Sequence, residues 1–178
     1  MQLKELFCLR QSCRNFDAER KVEKEKLENI MELARLAPSA CNSQPYSFIV
    51  VTDDELVKEV ARCTQSMGMN KHCSAARAFI VMVEENAGLL AKTGGRLKDQ
   101  DYASIDMGIV SAHIVLAATE QGLSTCMIGW FDEKKLKEIL QIDEKKRVRL
   151  VFAVGYAAAD DKIREKKRKD LDKLVTYR

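Results

Sequence analysis

The chain has 178 residues, 46% of them hydrophobic and 32% charged, which suits one globular domain over residues 1–178 with enough apolar material for a core. Lys and Arg number 30 against 27 acids, and the formal charge of +3 is too mild to point to a nucleic-acid partner. The opening Met-Gln-Leu-Lys-Glu is charged where a signal peptide needs its apolar stretch, and no uninterrupted apolar run approaches the roughly 18 residues of a membrane helix, so a soluble, cytoplasmic protein without a membrane partner is expected.

In chain order, Leu3, Leu6 and Phe7 suggest a short opening helix that ends in the polar segment Arg10-Gln-Ser-Cys-Arg-Asn15. Leu27, Ile30, Met31, Ala34 and Leu36 fall close to helical spacing and predict a helix over about 23–36, which Pro38 stops. A loop from Pro38 to Pro45 leads into a strand at Tyr46 to Val51, and Asp53 or Asp54 caps a helix through about Cys63. A strand is predicted from Ala78 to Val83, and then a loose segment from Gly88 to Asp101 with Gly94-Gly95 as a turn. A long helix should run from Ser104 to Gln121 with Gly122 as its C-cap. A short strand at Thr125 to Ile128, a helix capped by Asp132 and a strand at Arg147 to Tyr156 follow.

The long helix carries two apolar stripes. One is Ile105, Ile109, Ala112 and Leu116; the other is Met107, Val110, Ile114 and Ala118. A helix apolar on most sides is buried on most sides. A partner subunit or the chain's own sheet could cover the second face.

Six cysteines are scattered without a Cys-x-x-Cys pair, and the default for all six is a buried small hydrophobe. With only His72 and His113 to join them, no metal site is expected. Among the glycines there is no Gly-x-Gly-x-x-Gly, no Gly-x-x-x-x-Gly-Lys and no Gly-x-Ser-x-Gly.

Three segments could carry chemistry. Arg10-Gln-Ser-Cys-Arg14 places two guanidinium forks and a hydroxyl within five residues, a set suited to phosphate oxygens, although taken alone two solvated arginines are the better explanation. Pro38-Ser-Ala-Cys-Asn-Ser-Gln-Pro45 crowds hydroxyls, carboxamides and backbone donors into a stiff connection that can read the edge of a planar heterocycle, or simply cap itself. In Thr125-Cys-Met-Ile-Gly-Trp-Phe131, Gly129 lets backbone come close to a ligand and Trp130 could line an aromatic slot. The basic run from Lys162 to Lys173 reads as a solvated tail.

Taken in order, these pieces resemble the FMN-dependent nitroreductase family. The resemblance rests on Arg10-Gln-Ser-x-Arg14-x-Phe16, on Ala37-Pro-Ser-Ala-Cys-Asn-Ser-Gln-Pro-Tyr-Ser-Phe-Ile-Val-Val51, on Ile105-Asp-Met-Gly108 with the helix after it, on Ala117 through Gly129, and on Val154-Gly-Tyr156 with the basic tail. It spans almost the whole chain. Strand and helix alternation alone suggests a parallel doubly wound sheet. The resemblance implies instead an α+β fold, a three-layer α/β/α sandwich with a central mixed sheet, in a homodimer with two FMN sites at the interface. Carried over residue by residue, it implies that Arg10, Ser12, Arg14 and Arg168 hold the flavin phosphate, with Gln11 and Asn70 near the pyrimidine edge. Ile128 and Gly129 would offer backbone near the reactive nitrogen, and Pro38, Ser39, Ala40 and Asn42 would approach from the partner subunit.

The implied activity is ping-pong transfer of electrons from NADH or NADPH to a small-molecule acceptor such as a nitroaromatic or a quinone, and no protein acid or base stands out. Two alternatives stay open: a related flavoprotein that dehalogenates reductively or fragments flavin, and a non-catalytic protein that binds an anionic partner through residues 162–173. The chain departs from the family pattern in its short segment before the long helix, in Tyr46 where a tryptophan is usual, and in Ala157 where a proline is usual.

Overall fold

The computed structural model describes residues 2–86 and 88–178, apart from the side chains of residues 89, 90, 92 and 96. Helix α1 (Leu3–Leu9) is followed by α2 (Lys24–Ala34), strand β1 (Tyr46–Val51), α3 (Asp54–Thr64) and β2 (Ala78–Glu84). After these come α4 (Leu89–Lys98), α5 (Tyr102–Glu120), β3 (Ser124–Ile128), α6 (Glu133–Leu140) and β4 (Val148–Gly155). Local chemistry sets the helix ends. The Asp53 carboxylate accepts from the N–H groups of Glu55 and Leu56 to start α3, and Asp132 accepts from Lys135 to start α6. At the end of α5, Gly122 turns left-handed (φ 74°), Leu123 N–H donates to the Ala118 carbonyl and Gly122 N–H to that of Thr119. This paired closure satisfies two carbonyls that the helix leaves open.

The sheet order is β1-β2-β4-β3. Strand β2 is central and buried at six of its seven positions. Its side chains divide between two cores, since successive residues of a strand point to opposite faces. Phe79, Val81 and Val83 join Val57, Val60 and Leu136 from α3 and α6, whereas Ala78, Ile80 and Met82 join Leu27, Ile30, Val110 and Ile114 from α2 and α5. Helices therefore cover both faces, giving the three layers expected.

The direction of the strands differs from the mixed sheet anticipated. All three pairings among the four strands are antiparallel, and the parallel contact among the described residues is a single bridge from Ser12 to Thr125. The reason lies between β1 and β2. Helix α3 carries the chain back along the sheet, and residues 65–77, with left-handed Met67, Gly68 and Asn70, make one more pass before β2 begins. A single helical crossover would have made the two strands parallel.

The segment expected to be loose contains α4. Gly94-Gly95 sits inside this helix, which ends at left-handed Asp99, where Gln100 N–H turns back to the Gly95 carbonyl. A Cβ on Gly95 would stand 2.7 Å from the Gln100 carbonyl oxygen, so the glycine permits the reversal.

Helix α5 is long and apolar enough, by length and composition alone, to cross a membrane. Its stripe of Met107, Val110, Ile114 and Ala118 is buried against the sheet. The other stripe is open: Ile105 is 49% exposed, and Gly108 and Ala112 are exposed beside half-covered Ile109 and Leu116. Of the cysteines, Cys13, Cys63, Cys73 and Cys126 are buried as anticipated, but Cys8 and Cys41 are exposed. Cys8 lies on α1, which buries no residue, and Cys41 lies in a left-handed turn (φ 51°) that turns its side chain away from the core.

Candidate functional site

After α1 the chain straightens and runs beside the edge strand β3, where Cys13 N–H donates to the Thr125 carbonyl (2.8 Å). Phe16 bridges to Ala157, which anchors the far end of this arm. Arg10, Gln11, Ser12 and Arg14 are thereby held along the sheet edge.

The basic tail folds back onto the same arm. Gln11 ties it down at both ends of its carboxamide: Nε2 donates to Asp161 (3.2 Å) and Oε1 accepts from Arg164 N–H (3.1 Å). The Arg164 guanidinium donates to the Ser12 carbonyl and to Asp161, and Lys166 Nζ donates to the Cys8 carbonyl. A cleft of about 170 Å3 results, walled by Arg10, Arg14, Arg164, Lys166 and Arg168 with one acid, Glu165. Five cations around one small cavity form a ready anion site, with guanidinium forks suited to phosphate oxygens.

From this cleft, β3 runs to its end at Ile128 and Gly129. The Ile128 side chain is in the core, so its backbone is what it can offer a ligand. A Cβ on Gly129 would meet only Leu150, at 4.0 Å. The fold itself does not require a glycine there. Asn70 lies across from this turn, and both hydrogens of its amide are taken, by the carbonyls of Trp130 (3.0 Å) and Thr64 (3.1 Å). Two residues on, His72 has a buried Nε2 without a hydrogen-bond partner among the described residues. Burial, then the positive charge of Arg14, holds the His72 imidazole below its ordinary value. Burial raises the Cys126 thiol, and the charges of Arg14 and Arg164 partly offset it.

The loop of Pro38, Ser39, Ala40 and Asn42 belongs to a different place within the chain. Its Ala40 N–H donates to both oxygens of buried Asp106 on α5 (3.0 and 3.1 Å). Ser39 Oγ accepts from Gln44 N–H, and Asn42 Oδ1 accepts from the Gln44 amide, so these groups brace their own turn. Beneath the loop, Ser43 Oγ and Tyr46 Oη are buried and unpartnered among the described residues. Within one chain this loop forms a cluster separate from the arginine cleft.

A larger cavity of about 920 Å3 lies along α6 and the 141–144 turn, and none of the candidate residues lines it. Sequence reasoning treated Arg164 and Lys166 only as members of a basic run. Among the described residues no cluster of His, Cys, Asp and Glu could hold a metal ion.

Comparison with known proteins follows the same line. The family model described as "Nitroreductase family" matches residues 9–156. An oxygen-insensitive NADPH nitroreductase of Helicobacter pylori is 26% identical over 190 residues, covering 90% of each chain. Among solved structures, a nitroreductase family protein from Streptococcus pneumoniae superposes with a TM-score of 0.84 at 26% identity, over 99% of this chain and 100% of that one. An FMN-dependent nitroreductase from Clostridium difficile superposes with a TM-score of 0.76 at 27% identity, over 98% of both chains.

Proposed function

The chain belongs to the nitroreductase family, and from that premise we propose that it is an FMN-dependent oxidoreductase passing electrons from NADH or NADPH to a small organic acceptor, such as a nitroaromatic or a quinone. The observation that carries this reading is the cationic cleft beside β3, whose cations converge from both ends of the chain. A phosphate monoester fits it: Arg10, Arg14 and Arg168 would supply charge-assisted hydrogen bonds, and Ser12 lies between Arg10 and Arg14 on the arm. At the other end of β3, the room left beside Gly129 suits the close approach of a planar polar ring.

FMN, when bound, supplies a carrier that takes hydride from a nicotinamide nucleotide and delivers electrons to an acceptor. The protein's part is to bind and orient. Arg10, Arg14, Arg164 and Arg168 would neutralise the phosphate of FMN, and Ile128 and Gly129 would offer it backbone groups. We assign Pro38, Ser39, Ala40 and Asn42 to the cleft of a second copy, since one chain keeps them at Asp106. With no second nucleotide-binding fold among the described residues, donor and acceptor use one pocket in turn.

The test is reconstitution. Purified protein should take up FMN with quenching of flavin fluorescence and turn yellow, and anaerobic NADH or NADPH should bleach it. Riboflavin, which lacks the phosphate, should bind at least tenfold more weakly, the loss of one charge-assisted contact or more. Protein that binds neither flavin would sink the reading.

A further inference from the structure

Asp161 is the point at which the two ends of the chain meet behind the cationic cleft. It closes a turn in which its N–H donates to the Ala158 carbonyl, and the Ala158 N–H donates to the Asn15 carbonyl of the arm (both 2.9 Å). The Asp161 side chain is only 7% exposed. Three donors converge on it: Gln11 Nε2 at 3.2 Å and Cys13 Sγ at 3.7 Å from the arm, and the Arg164 guanidinium at 3.3 Å from the tail. The same guanidinium donates to the Ser12 carbonyl, so Arg164 is held between tail and arm. Asp161 does not itself line the cleft, whereas Gln11 and Arg164 do. A buried carboxyl with its donors in place is satisfied without a ligand, and removing it would leave those donors unpaired.

We propose that Asp161 is a positioning residue of the phosphate site, fixing the Arg164 guanidinium against the Gln11–Ser12 arm so that the cleft stands assembled before an anion arrives. The inference rests on the FMN reading above and deepens it. Five cations around one small cavity repel one another while it is empty, and long side chains lose rotamer freedom when a ligand has to gather them. A cleft assembled in advance lifts that cost from binding. Charge alone acts the other way. Asp161 is an acid in contact with a wall of an anion site, and its negative charge by itself opposes a phosphate. The two effects of this one side chain therefore have opposite signs, and the sign of a variant's effect tells which prevails.

Asp161→Asn keeps the shape, removes the charge and turns an amide NH2 towards groups that are themselves donors. In flavin titrations it should weaken FMN binding about tenfold, the low end of what a hydrogen bond to a charged group provides. Riboflavin has no phosphate for the arginines to hold, so its affinity should stay within about twofold of wild type. Arg164→Lys keeps the charge of the cleft but loses the planar fork that reaches Asp161 and Ser12 together, and it should weaken FMN as well. In that background Asp161→Asn should add much less than its own loss, because both changes release one contact. Tighter or unchanged FMN binding by Asp161→Asn would show that charge prevails, overturning the inference and leaving the FMN reading standing. Equal losses for FMN and riboflavin, wild-type affinity in Arg164→Lys, or full additivity of the two changes would overturn it too. A wild-type protein that takes up no FMN would remove both.

Discussion

Arg164 donates from its guanidinium to the main-chain carbonyl of Ser12, joining positions 152 residues apart. That contact turns a tail with no regular structure between residues 158 and 170 into one wall of the cationic cleft. Arg14 stands on the arm, and Arg164 positions the arm as well as adding charge. Arg14→Ala should therefore weaken FMN binding by on the order of 1.5–3 kcal/mol, the range for a hydrogen bond to a charged group. Arg164→Ala should weaken it comparably. Lys173 pairs with Asp170 in solvent, both side chains being about two-thirds exposed or more, so Lys173→Ala should change little. Flavin titrations decide the matter. Equal affinities for all three variants would mean that the phosphate sits elsewhere.

The arm and the tail were legible in the sequence as separate pieces, because clustered arginines and a basic run are compositional signals. Their meeting was not, since it depends on Gln11 and Arg164 contacts made across the whole fold. Strand β1 fell at residues 46–51 as expected, set by the proline before it and the acidic cap after it. Helix α4 was hidden because Gly94-Gly95 mimics a turn, whereas Gly95 serves the reversal at Gln100. Asp161 gave no signal in the sequence. Its donors come from both ends of the chain, which only packing can reveal.

Thiol chemistry separates the cysteines. Burial pushes Cys13, Cys63 and Cys73 up to about 11, so each is almost wholly protonated at neutral pH as well as shielded. Cys8 and Cys41 are exposed. Iodoacetamide at pH 7.5 should alkylate these two in the native protein and all six in denaturant, as read by intact mass. Rapid native labelling at Cys13 would show that the arm lifts off β3.

Glu133 provides a check on stability against pH. Burial works against its charge, but hydrogen bonds from Arg147, the Val148 N–H and Lys137 outweigh it and hold the carboxyl below the ordinary value of 4.5. A depressed folded-state value contributes stability above the unfolded value and loses it as pH falls through the folded one. Glu133→Gln should therefore unfold at lower denaturant than wild type at pH 7, and the gap should close as the pH drops below 4.5. A gap of constant size from pH 7 to pH 3 would assign the effect to packing.

Shared use of one pocket has a kinetic signature. When NADH or NADPH and a quinone are varied together, double-reciprocal plots should be parallel, and excess quinone should inhibit competitively with the nucleotide. Intersecting lines would indicate separate sites for the two substrates, without touching the FMN assignment.

The open stripe of α5 bears on whether one chain is enough. Ile105, Ala112 and the half-covered Ile109 and Leu116 lie on a face that the chain's own sheet does not cover. A Cβ on Gly108, in the middle of that face, would meet nothing within 4 Å. A glycine inside a helix costs roughly 0.5–1 kcal/mol relative to alanine, and nothing in one chain calls for it. A second copy crossing closely at this point would. The loop of Pro38, Ser39, Ala40 and Asn42 is anchored to Asp106 on the same helix, next to Ile105, so pairing through α5 would carry that loop towards the other copy's cleft. Light scattering should then report a homodimer. Ile105→Glu would place a charge in the interface and should shift the protein to monomer at micromolar concentration. Because the loop would leave with the partner, the same variant should lose FMN although its own arginines are intact. A monomeric Ile105→Glu protein that keeps FMN at wild-type affinity would show that each chain builds its site alone, and a monomeric wild type that holds FMN would remove the dimer from the account altogether.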